Sequence, residues 1–177
     1  MARNRPPKKL DADGLWNYSL RVLGERAYSM YELRKKLLTK AEQASDVAGV
    51  MTKLQEYGFA DDKKFSEAFA ASRLANQGFG QFRVLHELRA RRIAPSVADK
   101  AVAATFAETD EHTLAEQFLV RKYRGKDLRS FFQEEKNFAS AYRRLRTAGF
   151  SSSASLSVLK RYSKVAEDLG EIDEPES

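Results

Sequence analysis

The stretch LQEYGFADDKKF, residues 54–65, contains the signals for one helix end followed at once by one helix start. Gly58 followed by Phe59 is typical of a Schellman ending, in which a glycine in the left-handed conformation closes the helix and the next residue packs back on it, here on Leu54. Asp61 is typical of an N-cap, whose side chain accepts hydrogen bonds from the first amides of the next helix. The stretch therefore predicts two helices joined by a short turn.

Similar signals mark helix ends along the rest of the chain. Ser29 and Glu32 have the spacing of a capping box, in which each residue's side chain bonds the other's backbone amide. Gly80 can open a helix over residues 81–90, and Pro95 suits the first turn of the next helix. Gly149 followed by Phe150 predicts a second Schellman ending, in which Phe150 packs on Leu145.

Apolar residues recur at helical spacing almost throughout, and no run alternates with the period of a strand for long enough to form one. Two of the predicted apolar faces are Leu20, Leu23 and Ala27, and Val47, Val50, Met51 and Leu54. The sequence therefore predicts an all-α protein.

The chain also repeats itself. Leu37, Leu88 and Leu145, spaced 51 and 57 residues apart, lie at equivalent positions of similar patterns. We predict three tandem three-helix repeats of the helix-turn-helix type at residues 15–60, 61–108 and 109–166, between a basic flexible N-terminus (1–14) and an acidic flexible tail (167–177). Because repeats of this size bury little surface alone, they gain stability by stacking, and we expect an elongated, curved array.

The composition limits the class of protein. The 177 residues include no Cys, which excludes disulfides and cysteine nucleophiles, and no apolar run approaches the roughly 18 residues of a membrane span. The first residues include no apolar segment of a secretory signal. We therefore expect a cytoplasmic protein that is not bound to a membrane.

The charge is unevenly distributed. Residues 1–166 contain all 31 Lys and Arg against 19 Asp and Glu, whereas residues 167–177 contain six acids and no base. A basic body attracts phosphate backbones or acidic protein surfaces, although a solubilising surface is the simpler explanation.

The sequence does not predict catalytic chemistry. Asp61 and Asp62 are the only carboxylate pair that suggests a nuclease, and a metal nuclease needs further acids or His converging on the pair. At a helix start, acids are instead favoured by the helix dipole. His86 and His112 are isolated. We therefore expect no enzyme activity, no catalytic residue, no metal and no cofactor.

Basic clusters are left to explain function, one in each predicted repeat. Tyr123 and Tyr142 lie among the bases of the third, where Arg and aromatic side chains can clamp phosphates and stack on bases, although Tyr142 also fits a core position. The candidate binding residues are Arg26, Arg34, Lys35, Lys36, Lys40, Arg83, Arg89, Arg91, Arg92, Arg121, Lys122, Arg124, Lys126, Arg129, Arg143, Arg144, Arg146, Lys160 and Arg161.

The order of these motifs resembles the RecX family of recombination regulators. The family pattern is an Arg, Tyr-Ser and Glu-Leu run, matched at residues 26–33, then Leu…Gly-aromatic…Asp-Asp…Phe, matched at 54–65, then Arg…Gly-x-Gly…Arg…Glu-Leu, matched at 73–88. The resemblance is co-linear over residues 15–162. One departure is Arg92, where the family usually has Gly. If that helix ends in the left-handed conformation, Arg92 strains it by about 1 kcal/mol.

The resemblance implies tandem three-helix repeats and an inhibitor of the RecA recombinase. Members of the family bind along the groove of the RecA filament on single-stranded DNA and suppress its ATPase, strand-exchange and co-protease activities. For this chain that implies regulation of DNA repair, homologous recombination and the SOS response, with single-stranded DNA met through the filament and weak direct DNA binding besides. We also expect a monomer.

Two alternatives remain open at this stage. Three-helix units with a short turn resemble helix-turn-helix modules, so three copies could form a stand-alone DNA-binding regulator. Affinity for bare duplex DNA, compared with a RecA–DNA filament, separates this from the first hypothesis. The other alternative, a nuclease at Asp61 and Asp62, predicts metal-dependent cleavage.

Overall fold

The computed structural model of the protein describes residues 9–163 and confirms the all-α class. The described residues contain no strand, only an isolated parallel bridge between Leu10 and Ala41. None of their helices is long and apolar enough to span a membrane. The predicted acidic tail, and residues 1–8 of the predicted basic N-terminus, lie outside the described residues. The helices are α1 (Ala12–Glu25), α2 (Met30–Lys40), α3 (Asp46–Glu56), α4 (Asp62–Ser72) with a π-helical turn at Arg73–Gln77, α5 (Gln81–Ala90), α6 (Pro95–Phe106), α7 (Glu111–Lys122), α8 (Leu128–Phe131), α9 (Glu135–Thr147) and α10 (Ser152–Lys160).

Helix α1 differs from the prediction at its start and in its buried face. It begins at Ala12, inside the segment predicted as a flexible N-terminus, because Asp11 caps it by accepting a 2.9 Å hydrogen bond from the Gly14 amide. Its buried residues are Leu15, Ser19 and Val22, whereas Leu20 and Leu23 of the predicted apolar face are only half-buried and Ala27 lies beyond the helix end.

The predicted caps of α2 and α4 are present. The Glu32 amide donates to the Ser29 hydroxyl at 3.1 Å and the Ser29 amide donates to the Glu32 carboxylate at 3.1 Å, which completes the capping box. The Asp61 carboxylate accepts from the amides of Lys63 and Lys64 at 2.8 and 3.1 Å. Side chains close in sequence therefore define both helix starts.

Both predicted Schellman endings are also present. Gly58 and Gly149 have φ of 71° and 93°, and the Phe59 and Phe150 amides donate to the carbonyls of the third-last helical residues, at 2.8 and 3.2 Å. Their side chains differ. Phe150 is completely buried, whereas Phe59 is 50% exposed and stacks on Tyr57.

Arg92 ends α5 in the left-handed conformation, as the sequence allowed. Its φ is 60°, and it is the only residue other than glycine with a positive φ in residues 9–163. Its amide donates to the Arg89 carbonyl at 2.9 Å and the Ile93 amide donates to the Leu88 carbonyl at 3.3 Å, the same ending found at Gly149. The exposed side chain takes no part in these bonds.

The burial of equivalent residues supports the internal repeat. Positions that align at separations of 51 and 57 residues share the same burial, and two exposed aromatics also align. The fully or nearly fully buried sets are Leu33, Val84 and Ala141, and Leu37, Leu88 and Leu145; the exposed pair is Tyr31 and Phe82. The third part of the chain also contains an extra short helix, α8.

The contacts divide the described chain into two compact units. Unit 1 comprises residues 9–68 and 88–101, and its core includes Leu15, Leu33, Leu37 and Leu54. Unit 2 comprises residues 69–87 and 102–163, and its core is rich in aromatic residues. The second predicted repeat supplies residues to both units, so the three repeat boundaries remain predictions.

Candidate anion-binding site

A contact between two glycines positions the site in unit 2. The start of α5 meets the end of α9, where the Gly80 amide donates to the Ala148 carbonyl at 2.9 Å and the Phe82 amide donates to the Gly149 carbonyl at 3.3 Å. A Cβ added to Gly80 would overlap the Gly149 carbonyl, and one added to Gly149 would lie 2.5 Å from the Arg83 Cβ. Because both residues are glycines, the backbones touch and Arg83 lies beside α9.

Beside this contact lies a groove that we call the basic groove, with Arg83, Thr147 and Ala148 on the side nearest the contact. Its volume is about 540 Å³. Phe79 and Phe118 form an apolar floor, with ring centroids 6.4 Å apart. The lining residues are Phe79, Arg83, Phe118, Lys122, Ser140, Arg143, Arg144, Thr147 and Ala148.

Cations line the basic groove, and no acidic residue is among the described residues that line it. The Arg83 guanidinium already has internal partners, because it pairs with the Glu87 carboxylate at 3.1 Å and donates to the Thr147 carbonyl at 3.4 Å. Lys122, Arg143 and Arg144 are exposed, and none of them forms an ion pair within residues 9–163. Three positive charges are therefore available to an anion in this groove.

Glu87, which does not line the groove, orients the Arg83 side chain by a hydrogen bond. Its carboxylate accepts hydrogen bonds from Arg73 at 2.8 Å and from Arg83 at 3.1 Å. Burial opposes ionisation of this carboxyl, but the two guanidinium groups outweigh burial and hold the pKa of Glu87 below its ordinary value. One carboxylate shared by two arginines leaves this small network with a net positive charge.

Three predicted binding residues of unit 2 have internal partners instead. The Arg121 guanidinium donates to the Gln77 carbonyl, and that of Arg146 donates to the Phe150 carbonyl at 2.5 Å. Arg161 pairs with Glu116 at 2.5 Å. These contacts give each residue a structural role. The other predicted residues of this unit are exposed and lie outside the groove lining: Arg124, Lys126, Arg129 and Lys160.

The predicted basic cluster of α2, in unit 1, is organised around a tyrosine. The Arg26 guanidinium lies 3.7 Å from the centre of the Tyr28 ring and the Lys36 ammonium 5.4 Å from it. Burial pushes the Tyr28 pKa up, but hydrogen bonds and charge from these two cations outweigh it and lower the pKa. Arg34 and Lys35 are exposed, and Lys40 lies 6.0 Å from the Tyr18 ring.

The predicted arginines that follow in unit 1 are mostly paired. Arg89 pairs with Asp99 at 3.0 Å and Arg91 with Glu32 at 3.7 Å. Arg92 is exposed and takes no part in the ion pairs found in residues 9–163. The structure thus brings Arg83, Lys122, Arg143 and Arg144 together and leaves the other predicted bases in separate places.

The Asp61–Asp62 pair serves two helix starts. Asp61 caps α4, and the Asp62 carboxylate accepts a 2.8 Å hydrogen bond from the Met30 amide at the start of α2. Burial is the largest influence on Asp62, and together with the charges of Asp61 and Glu32 it raises the Asp62 pKa despite the Met30 hydrogen bond. Within residues 9–163 no group of three His, Asp or Glu is arranged to hold a metal ion. This geometry fits a structural role for the pair.

Sequence reasoning missed the uncharged part of the basic groove. Ser140 and Thr147 lie at helical spacing from Arg144 and Arg143 along α9, so a helical projection could have placed them on the same face. Nothing in the sequence marks Phe79 as a floor residue, because it meets Phe118 only through tertiary packing.

Comparisons with known proteins agree on one family. The model of the second three-helix domain of RecX matches residues 61–102. The regulatory protein RecX of Chromohalobacter salexigens is 32% identical over 124 residues, which cover 69% of this chain and 80% of the relative. That of Trichlorobacter lovleyi is 30% identical over 109 residues, which cover 62% of this chain and 71% of the relative.

Solved structures agree on the fold. A crystal structure of a regulatory protein RecX superposes with a TM-score of 0.69 at 20% identity, covering 84% of this chain and 73% of that one. The crystal structure of RecX from Lactobacillus salivarius gives a TM-score of 0.63 at 17% identity, covering 85% and 96%.

Proposed function

The chain belongs to the RecX family of regulatory proteins, and on that premise we propose that it inhibits the RecA recombinase by binding the RecA filament on single-stranded DNA. The proposal places the protein in the cytoplasm, where it lowers the ATPase, strand-exchange and co-protease activities of the filament. No covalent step is needed, since occupying a surface of the filament is enough to block it.

The observation that carries the proposal is the basic groove. Lys122, Arg143 and Arg144 present three charges without an internal ion pair, above a floor formed by Phe79 and Phe118. Charges of this kind attract DNA phosphates or acidic side chains of a protein surface. Their side chains are exposed, and the internal contacts of Lys122 and Arg144 are with aromatic rings, 5.7 Å from the centres of Phe118 and Tyr123, so a partner can meet their charges without an ion pair being broken.

The proposal is tested by measuring ATP hydrolysis by RecA on circular single-stranded DNA. We expect the rate to fall when this protein is added at substoichiometric to equimolar ratios to its cognate RecA. An unchanged rate at excess protein, with RecA and DNA both shown to be active, would refute the proposal.

A groove variant, Lys122→Gln with Arg143→Gln and Arg144→Gln, tests the role of the groove. We expect weaker filament binding and weaker inhibition without unfolding. The matched control is Arg21→Gln with Lys63→Gln and Lys100→Gln, which removes the same charge from exposed positions outside the groove. If both variants inhibit equally well, the groove is not the contact surface.

Salt dependence separates DNA from protein contacts. The logarithm of the binding constant for single-stranded DNA falls linearly with the logarithm of the salt concentration, and each lost phosphate contact makes this slope shallower by ~0.7. Loss of three contacts therefore makes it shallower by roughly 2. If the groove meets acidic residues of RecA instead, filament binding falls while affinity for bare DNA hardly changes. Binding to bare duplex as tight as to the filament at physiological salt would favour a stand-alone DNA-binding regulator.

A further inference from the structure

We propose that the acidic segment at residues 167–177 is an internal ligand of the basic groove, where it competes with the anionic partner. This inference rests on the proposed function for its consequence, but the docking itself is a property of this chain alone. The segment and the groove have opposite charge, and the segment begins four residues after Ser163, the last described residue of unit 2.

The first argument is charge complementarity. The segment contains six acids and no base, spread over eleven residues. The groove contains four cations, three of them without an ion pair in residues 9–163, and no acidic residue lines it among those described. The groove therefore attracts an acidic peptide.

The second argument is apolar complementarity. Leu169 and Ile172 lie among the acids of the segment. The groove offers Phe79 and Phe118 beneath its cations, and Ala148 at its edge. A purely electrostatic surface would have no use for this floor, whereas an acidic segment with two aliphatic side chains can use both parts.

The third argument is reach. The described chain ends at Ser163, which is buried in unit 2. Fourteen residues follow it, and a fully extended chain of that length spans at most roughly 46 to 50 Å. A compact unit of this size has a radius of gyration of roughly 12 Å. Ile172, nine residues beyond Ser163, can extend at most roughly 30 to 32 Å from it, more than twice that radius. The tether gives the segment an effective concentration on the order of millimolar.

Docking is tested first without RecA or DNA, by coupling carboxylates to lysines of the full-length protein with a carbodiimide at low protein concentration. Lys122 is the only lysine among the described residues that line the groove. We expect its coupling to acids of residues 167–177 to exceed that of Lys126 and Lys136, and to fall in the variant Arg143→Gln with Arg144→Gln. Equal coupling of all three lysines, or coupling between two molecules, would overturn the inference.

Competition is tested with a fluorescent oligothymidylate. The tail variant replaces the six acids by their amides: Glu167→Gln, Asp168→Asn, Glu171→Gln, Asp173→Asn, Glu174→Gln and Glu176→Gln. If about four-fifths of the molecules hold the segment in the groove, only one-fifth are free to bind, so the tail variant binds roughly fivefold more tightly.

A double-mutant cycle separates docking from net charge. Combined with the groove variant, the tail variant should gain almost nothing, because the segment has lost its site. The same gain in both backgrounds would show that the acids act through net charge alone and would overturn the inference. Failure to inhibit RecA would refute the proposed function but would leave the coupling result unchanged.

Discussion

Replacing Arg92 by glycine should stabilise the protein, because Arg92 holds a conformation that suits glycine. Its φ is 60°, and the two hydrogen bonds that close α5 are made by backbone atoms, so they survive the change. A left-handed residue other than glycine costs about 1–2 kcal/mol. Glycine also gives the unfolded chain more conformational entropy, which lowers the free energy of unfolding by about 0.4–1 kcal/mol and offsets part of the stabilisation from the relieved strain. The net expected stabilisation is about 0.5–1 kcal/mol.

The matched control is Arg92→Ala. It removes the same charge and side chain as Arg92→Gly but keeps a Cβ in the left-handed conformation. Because Arg92 is exposed, we expect Arg92→Ala to change stability by less than about 0.5 kcal/mol. The difference between the two variants therefore isolates the backbone strain from the loss of charge.

The assay is urea unfolding followed by the fluorescence of Trp16. It is the only tryptophan of the chain, and it packs against the core of unit 1, the unit that contains Arg92. For a protein of this length, the expected stabilisation also raises the Tm by about 1–4 °C. An Arg92→Gly variant no more stable than Arg92→Ala would refute the argument that this helix end is strained. Loss of RecA binding in both variants would show that the arginine is retained for its charge.

Three further outcomes are expected. Gly80→Ala should destabilise the protein by about 1–3 kcal/mol or more, because the new Cβ would overlap the Gly149 carbonyl. Gly49→Ala, whose Cβ meets open space, should instead stabilise it by up to about 1 kcal/mol; thermal unfolding measures both. Folding lowers the Glu87 pKa, so Glu87 stabilises the folded protein above the pKa of an unfolded glutamate, and this stabilisation is lost as the pH falls through the lowered value. Glu87→Gln should therefore reduce the fall in the free energy of unfolding at acid pH. The same acid dependence in both proteins would contradict the pairing of Glu87 with the two arginines. Asp61→Ala should cost about 1 kcal/mol in urea unfolding while Asp61→Asn keeps the cap, and metal-dependent DNA cleavage abolished by either change would overturn the structural role.

Local signals in the sequence predicted most helix ends. The capping box at Ser29, the N-cap at Asp61 and the glycine ending at Gly149 each depend on residues within a few positions of one another, so they can be read without the fold. The bounds of α5 came out as predicted for the same reason. The prediction missed α8, although Asp127 caps it by accepting a 3.2 Å hydrogen bond from the Arg129 amide, because a helix of four residues is too short to show helical periodicity.

Contacts between distant residues could not be predicted. The Asp62 carboxylate binds the Met30 amide 32 residues away, and the Glu111 carboxylate binds the Ser151 amide 40 residues away at 2.7 Å, so in each case an acid from one helix holds the start of another. Arg121 was predicted to be a binding residue, and its internal partner could not be foreseen, because that partner is a backbone carbonyl, which every residue has and which no pattern identifies. The grouping of Arg83 with α9 likewise depends on packing alone.

The junction of α5 and α9 joins two helices end to end. The carbonyls of Ala148 and Gly149, just past the end of α9, accept the amides of Gly80 and Phe82 at the start of α5, so this junction supplies hydrogen bonds that a side chain or water would otherwise provide. The negative end of one macrodipole therefore lies close to the positive end of the other. The Gly80 and Phe82 amides, which lie at a helix start where exchange with solvent is normally fast, should then exchange slowly, at the rate at which the whole joint opens. Their deuterium uptake would measure how firmly the contact beside the basic groove is held.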